Sequence, residues 1–132
     1  MTRYLLDTHI VSHLIKGHPE VLRRVVSVQM SDQFISAITE GELAYGLAKR
    51  PDAKRLHLAV EELLKRVDVL PWDRKAAASY GQLRARMEQD GLTLPPLDLL
   101  IAGHALSEAM TLVSNDRAFA KVPGLAVEDW TG

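Results

Sequence analysis

The stretch that decides the fold is Tyr4-Leu5-Leu6-Asp7, a short apolar run that ends in a carboxylate. Three further apolar runs also lie beside an acidic residue. These residues are Glu42 after Phe34 to Ile38, Asp98 before Leu99 to Ala102, and Asp116 after Leu112-Val113. Short apolar runs separated by helical segments are typical of parallel sheets, in which ligands bind beyond the carboxyl ends of the strands. The pattern therefore predicts that residues distant in sequence meet in one acidic pocket.

Composition limits the classes of protein that fit this chain. Its 132 residues are 47% apolar and 25% charged, which predicts a single globular domain over residues 1–132. The net charge of -1 gives no overall polycationic character, so nucleic acid would have to be bound by local basic pairs. The absence of cysteine excludes disulfides and thiolate metal sites. Because no signal peptide or membrane-length apolar stretch is visible, we expect a cytoplasmic protein without a membrane partner.

Strand-like and helix-like segments alternate along the chain. Strands are predicted at about 3–7, 34–38, 67–70, 111–114 and 125–128, and helices at about 10–15, 20–29, 39–49, 53–66, 73–90 and 97–109. The alternation predicts an α/β three-layer sandwich with a short, mainly parallel sheet flanked by helices. The consecutive helices 73–90 and 97–109 leave the direction of the fourth strand open, because two reversals could make it antiparallel. They also require the loop at 91–96 to climb back across the domain.

Each acidic residue also has an ordinary structural interpretation. Asp7 could cap a helix, and Thr39 with Glu42 fits a capping box at a helix start. The negative charge of Asp98 would interact favourably with the dipole at the start of its helix, and Asp116 could be a turn residue. The neighbours of Asp98 are nearly all apolar, however, and a carboxylate in such a segment is costly unless it is paired or bound to metal. The four acids together are far more specific than any one of them.

An acidic cluster of this kind needs a counter-charge. Two unit charges about 4 Å apart repel by roughly 4 kcal/mol at an effective dielectric near 20. Mg²⁺ requires only a few carboxylates, because waters and substrate phosphate complete its shell. We therefore predict Asp7 and Asp98 as direct metal ligands. Glu42 could bind metal or orient the attacking water, and Asp116 could complete a second, weaker metal site.

The histidines suggest one further metal site. His9 and His13 are spaced i, i+4 on one helix face and could bind a transition metal, although no H-E-x-x-H motif is present. His104 lies among small residues and is predicted to be a packed helix residue.

Four segments resemble the VapC family of PIN-domain ribonucleases, the toxins of bacterial type II toxin–antitoxin systems. The matching segments are Leu5 to Thr8, Ile35 to Gly46, Asp98 to Ala105 and Leu112 to Phe119. The resemblance implies a PIN sandwich, dependence on Mg²⁺ or Mn²⁺, and endonucleolytic cleavage of RNA. It implies that Asp7, Glu42, Asp98 and Asp116 form the catalytic acidic site.

The resemblance also has implications for partners and substrate. It implies a homodimer and a cognate VapB-type antitoxin, whose tail occupies the active-site groove while its other end binds operator DNA. It favours tRNA or another structured RNA as the substrate. The family usually has Asn where this chain has His9, which can hydrogen-bond through either ring nitrogen but is bulkier.

Two other functions compete with this interpretation. Asp7 could be a phosphate-accepting nucleophile, as in haloacid-dehalogenase-like phosphatases, but those carry D-x-D where this chain has His9 as the third residue. The chain could also be a non-catalytic interaction module on an inherited fold, which the intact acids disfavour.

Overall fold

Five short strands form a parallel sheet at the centre of the computed structural model, which describes residues 2–132. They are β1 (Tyr4–Leu6), β2 (Gln33–Ser36), β3 (Asp68–Leu70), β4 (Thr111–Val113) and β5 (Val127–Glu128), in the order β3-β2-β1-β4-β5. Leu5 pairs with Phe34 on one side and with Leu112 on the other. Since all pairings are parallel, the carboxyl ends of the strands meet at one edge.

Six helices cover the two faces of the sheet. They are α1 (Thr8–Ile15), α2 (Pro19–Ser27), α3 (Ala37–Lys49), α4 (Lys54–Arg66), α5 (Arg74–Gln89) and α6 (Pro96–Ser107), with 3-10 turns at Met30–Asp32 and Arg117–Lys121. Successive strand residues point to opposite faces, so Leu5 packs in one apolar cluster with α5 and α6, while Leu6 packs in another with α1, α2 and α4. This arrangement confirms the predicted α/β three-layer sandwich. Within residues 2–132 no helix has both the length and the apolarity needed to cross a bilayer.

The direction of β4 is parallel, which resolves the alternative left open by the sequence. Helices α5 and α6 lie side by side and antiparallel, as shown by Lys75 at the start of α5, whose Nζ is 3.3 Å from Glu108 Oε1 just beyond α6. A Cβ built on Gly103 would lie only 2.9 Å from the Tyr80 Cα, so the helices approach closely. Because α5 already runs back toward Asp98, the expectation that the loop at 91–96 must climb across the domain is wrong.

The junction between β2 and α3 also differs from the prediction. The strand ends at Ser36, and Ser36, with its Oγ accepting from the Ile38 N–H at 3.1 Å, is the N-cap of α3. Thr39 and Glu42 therefore lie inside the helix, so the predicted capping box between them is wrong. The prediction placed the strand end too late because the apolar run Phe34 to Ile38 continues past the end of β2 into the first residues of α3. This shift frees Glu42 for a different contact.

Candidate active site at the carboxyl edge of the sheet

Asp7 lies where β1 passes into α1. Its backbone N–H donates to the Val113 carbonyl oxygen at 3.0 Å, and its Oδ1 accepts from the Ile10 N–H at 2.8 Å. The side chain is therefore the N-cap of α1, as its structural interpretation predicted. It is only 2% exposed, which is unusual for a carboxylate.

The surroundings of Asp7 disfavour its charge. Burial raises the pKa of the Asp7 carboxyl above its ordinary value, and the nearby negative charge of Asp98 adds to this effect. The Ser114 hydroxyl, the Ile10 amide and the His9 ring act in the opposite direction but do not cancel the rise. The charged form of Asp7 is therefore less favourable here than in water.

Glu42 lies in the second turn of α3 and reaches across to α1. The Thr8 hydroxyl donates to Glu42 Oε1 at 2.7 Å, and the hydroxyl oxygen of the buried Thr39 is 3.2 Å from that of Thr8. This contact joins the start of α1 to α3 and holds the Glu42 carboxylate at Thr8, the residue that follows Asp7. It gives Glu42 a role that the capping-box interpretation had hidden.

Asp98 lies in the first turn of α6 and is partly buried. Burial raises the pKa of its carboxyl, and the charges of Asp116 and Glu42 raise it further, while His9 lowers it. Asp98 also contributes to the raised pKa of Asp7. All three other acids therefore lie within electrostatic range of Asp98, as the sequence predicted.

Asp116 follows β4 and is held by two local hydrogen bonds. Its backbone N–H donates to Ser114 Oγ at 3.0 Å, and its Oδ1 accepts from the Ala118 N–H at 2.9 Å. The residue is therefore the N-cap of the 3-10 turn Arg117–Lys121. Its turn role and its proximity to Asp98 are both real, so one does not exclude the other.

The acidic edge fits a metal that takes only a few ligands from the protein. In residues 2–132 no group of three or more His, Cys, Asp or Glu side chains is arranged to hold an ion by itself. Mg²⁺ is commonly bound by one or two carboxylates, with waters and substrate phosphates completing its octahedron. Two mutually repelling acids whose pKa values are raised, Asp7 and Asp98, suit that mode of binding, while a closed protein cage does not.

His9 and His13 are not arranged as two ligands of one metal ion. His13 packs edge-on against His18 with the ring centroids 5.1 Å apart, and its Nε2 is 3.4 Å from Asn115 Nδ2, whereas His9 is exposed. These contacts give no support to the His9–His13 metal site. His104 is buried within α6, which confirms its prediction as a packed helix residue.

The sequence did not predict a hydrogen bond between two polar residues near the site. Ser36 and His104 are hydrogen-bonded to each other at 2.8 Å although 68 residues separate them. Both residues lie in segments that resemble the VapC family, but nothing in those segments indicates that the two side chains meet.

Comparisons with known proteins agree with this geometry. The family model described as PIN domain matches residues 4–125. The tRNA(fMet)-specific endonuclease VapC of Salmonella typhimurium is 38% identical over 131 residues, covering 98% of this chain and 99% of that protein. Ribonuclease VapC2 of Haemophilus influenzae is 37% identical over 132 residues, with coverages of 98% and 99%.

A solved structure shows the same fold at full length. VapBC2 from Rickettsia felis, bound to a DNA fragment from its promoter, superposes with a TM-score of 0.91 at 33% identity, covering 98% of this chain and 99% of that one. Family model, full-length relatives and fold all agree with the four segments around the acidic edge. The chain therefore belongs to the PIN-domain family and, within it, to the VapC proteins of VapBC toxin–antitoxin systems.

Proposed function

We propose that this protein is an endoribonuclease toxin that cleaves RNA with Mg²⁺ or Mn²⁺ at the acidic edge of its sheet. The observation that carries the proposal is the interaction of four carboxylates, from four separate segments, around Asp98. The names of the full-length relatives, endonuclease and ribonuclease, support the reaction class.

Asp7 and Asp98 are the residues proposed to hold the metal. Burial and mutual repulsion make their charged forms costly, so the uptake of a cation is favourable at both positions. The metal, when bound, would neutralise charge on the scissile phosphate and activate the attacking water. The protein's own contribution is to place both residues in advance: the Ile10 amide holds the Asp7 carboxylate, and the first turn of α6 carries Asp98.

Glu42 and Asp116 are proposed to complete the catalytic site. The Thr8 hydroxyl fixes one oxygen of Glu42, which restrains the carboxylate to orient a water or to accept its proton. Asp116 is held by the hydrogen bond from its N–H to Ser114 Oγ and by the one that its Oδ1 accepts from the Ala118 N–H, and it would contact the cation through water. Asp7, Glu42 and Asp116 are therefore each restrained by a different hydrogen bond before substrate arrives.

The proposed substrate is tRNA or another structured RNA. Salmonella typhimurium VapC is named as specific for tRNA(fMet), whereas the Haemophilus influenzae relative is named only as a ribonuclease. The acidic edge repels a phosphate backbone in the absence of metal, and the net charge of -1 offers no general attraction. Selection of RNA would thus depend on local basic residues and on the bound cation.

The proposed partner is a VapB-type antitoxin that covers the acidic edge. The Rickettsia felis structure contains a VapBC complex on promoter DNA. By analogy, we propose a homodimer of this chain that meets operator DNA only through its antitoxin. Purified toxin must be free of antitoxin for any activity measurement.

Cleavage of defined RNAs by the antitoxin-free protein tests the proposal. The reactions are wild type with Mg²⁺, wild type with EDTA, and Asp7→Asn with Mg²⁺, and Asp73→Asn with Mg²⁺ is the matched control. Asp73 caps α5 as Asp7 caps α1, but it is exposed. Cleavage by wild type and by Asp73→Asn with Mg²⁺ supports the enzyme, provided that wild type with EDTA and Asp7→Asn with Mg²⁺ cleave no RNA. Phosphate release from a phosphomonoester without RNA cleavage favours the phosphatase, and RNA binding without turnover favours the interaction module.

A further inference from the structure

A buried hydrogen bond joins α6 to the start of α3. His104 Nδ1 lies 2.8 Å from Ser36 Oγ, and both residues are 0% exposed. The other ring nitrogen, Nε2, is buried without a hydrogen-bond partner. Whichever tautomer the ring adopts, one of its polar atoms is therefore unsatisfied.

Such a pair is a poor way to stabilise a core. A buried polar atom without a partner is destabilising, while an apolar side chain of similar shape is often neutral or stabilising at such a site. Burial also lowers the pKa of the His104 ring, which keeps it neutral. The pair instead restrains the geometry of the two helices, because a hydrogen bond fixes the position of one helix relative to another more tightly than apolar packing does.

The two helices that the pair joins are those that carry two of the acids. Ser36 is the N-cap of α3, and Glu42 lies six residues further along the chain. Asp98 lies six residues before His104 on α6. The charges of Glu42 and Asp98 act on each other, so a shift between the helices changes the site directly.

We propose that His104 is a positioning residue, which acts through Ser36 to set the separation between Glu42 and Asp98. This inference rests on the proposed function of the acidic edge. His104 touches neither metal nor RNA in this account. Its loss alters metal affinity and turnover without unfolding the protein.

Three substitutions at His104 distinguish positioning from packing. His104→Leu fills the space but removes the polar atoms. His104→Asn places an amide near the position of Nδ1, and His104→Gln places one nearer Nε2. We expect His104→Leu to melt within a few degrees of wild type but to bind Mn²⁺ about tenfold more weakly and cleave RNA about tenfold more slowly, a typical loss for an outer-shell partner. His104→Asn should retain most of the Mn²⁺ affinity and of the cleavage rate, and His104→Gln should not.

The controls separate a general loss of capping from a loss of positioning. Ser36→Ala removes the partner of His104 together with a helix cap, whereas Asp73→Ala removes a helix cap on α5 alone. Both should lower the melting temperature, but only Ser36→Ala should weaken Mn²⁺ binding, measured by the electron paramagnetic resonance of the free ion. Ser36→Ala also serves as the second test if His104→Leu fails to fold.

The readouts also separate this inference from the proposed function. If wild type binds Mn²⁺ but cleaves no RNA, the proposed function fails, and the Mn²⁺ affinities alone judge the role of His104. Wild-type affinity and rate in His104→Leu would overturn the inference. If wild type binds no Mn²⁺, a crystal structure of His104→Leu decides. A changed separation between the Glu42 and Asp98 carboxylates supports positioning, and an unchanged separation refutes it.

Discussion

Asp7 and Asp73 occupy the same local position in two different parts of the molecule. Each follows a strand segment, each caps a helix, and each accepts from the backbone N–H three residues further on, at 2.8 Å and 3.0 Å. Their electrostatics are opposite. Burial raises the pKa of Asp7, whereas the hydrogen bond from the Ala76 amide lowers the pKa of the exposed Asp73.

The difference arises from what surrounds each cap. Asp7 directly follows the central strand β1, where its N–H donates to Val113 of β4 and Asp98 of α6 brings a second acid near. Asp73 lies on the outside of the molecule with Lys75 close by. The same capping motif thus has a lowered carboxyl pKa in one place and a raised one in the other, where we propose that a cation binds.

The largest expected effect is on catalysis. Asp7→Asn should reduce RNA cleavage by more than about 100-fold, the upper range for loss of an outer-shell partner, because Asp7 is a proposed direct ligand. Asp73→Asn should cleave within about twofold of wild type, since ordinary surface changes perturb little. Initial rates on one defined RNA at saturating Mg²⁺ measure both. A fully active Asp7→Asn would remove Asp7 from the site.

Magnesium should stabilise the two variants unequally. At a Mg²⁺ concentration ten times the dissociation constant, one native-state site adds about 1.4 kcal/mol to the free energy of unfolding. We expect that gain in wild type and in Asp73→Asn, and little of it in Asp7→Asn. Urea denaturation with and without Mg²⁺ measures it, with Ca²⁺ as a comparison for ion selectivity. Equal gains in all three proteins would place the ion elsewhere.

Without metal, the two substitutions should change stability in opposite directions. Asn retains the cap but removes a buried charge, so Asp7→Asn should raise the free energy of unfolding by roughly 1 kcal/mol at neutral pH. Asp73→Asn should lower the melting temperature slightly, because it removes a charge that the helix start favours. Thermal denaturation in EDTA tests both signs. A destabilised Asp7→Asn would show that the carboxylate is compensated.

The smallest effect is the pH dependence of these differences. Because its folded pKa is raised, metal-free Asp7 destabilises the protein at neutral pH, and the penalty disappears as pH falls through the folded pKa toward 3.8. Because its folded pKa is lowered, Asp73 contributes stability that is complete above 3.8 and lost as pH falls below it.

Urea denaturation of each variant against wild type, across the acidic range, reveals these two windows. The advantage of Asp7→Asn should shrink above pH 3.8, before the disadvantage of Asp73→Asn begins to shrink. An advantage of Asp7→Asn that stays constant down to pH 3.8 would contradict the raised pKa of Asp7.

Local patterns in the sequence predicted most of the framework. The alternation of apolar runs and amphipathic segments identified five strands and six helices, mostly within a few residues of their observed bounds. Asp73 was correctly predicted as the cap of α5, because a cap and its helix are neighbours in sequence. The convergence of the acids followed from the parallel sheet, which places the carboxyl ends of all strands at one edge.

Contacts between distant residues explain what the sequence did not show. The direction of β4 depends on how α5 and α6 pack, and that packing depends on the close approach at Gly103. Glu42 seemed to complete a capping box because the N-cap was placed at Thr39, three residues after the observed cap Ser36. The hydrogen bond between Ser36 and His104 has no local signature, because each residue resembles an ordinary cap or core position by itself.

The strand order has a consequence for biosynthesis. Of the five strands described, the central strand β1 is synthesised first, but its neighbour β4 and the Val113 carbonyl that accepts from the Asp7 amide come more than 100 residues later. Since the chain is made from its N-terminus at a finite rate, no nascent fragment shorter than this contains a complete acidic edge. The acidic edge therefore cannot assemble until β4 and Asp116 have been synthesised, and a nascent chain that lacks them lacks the proposed active site.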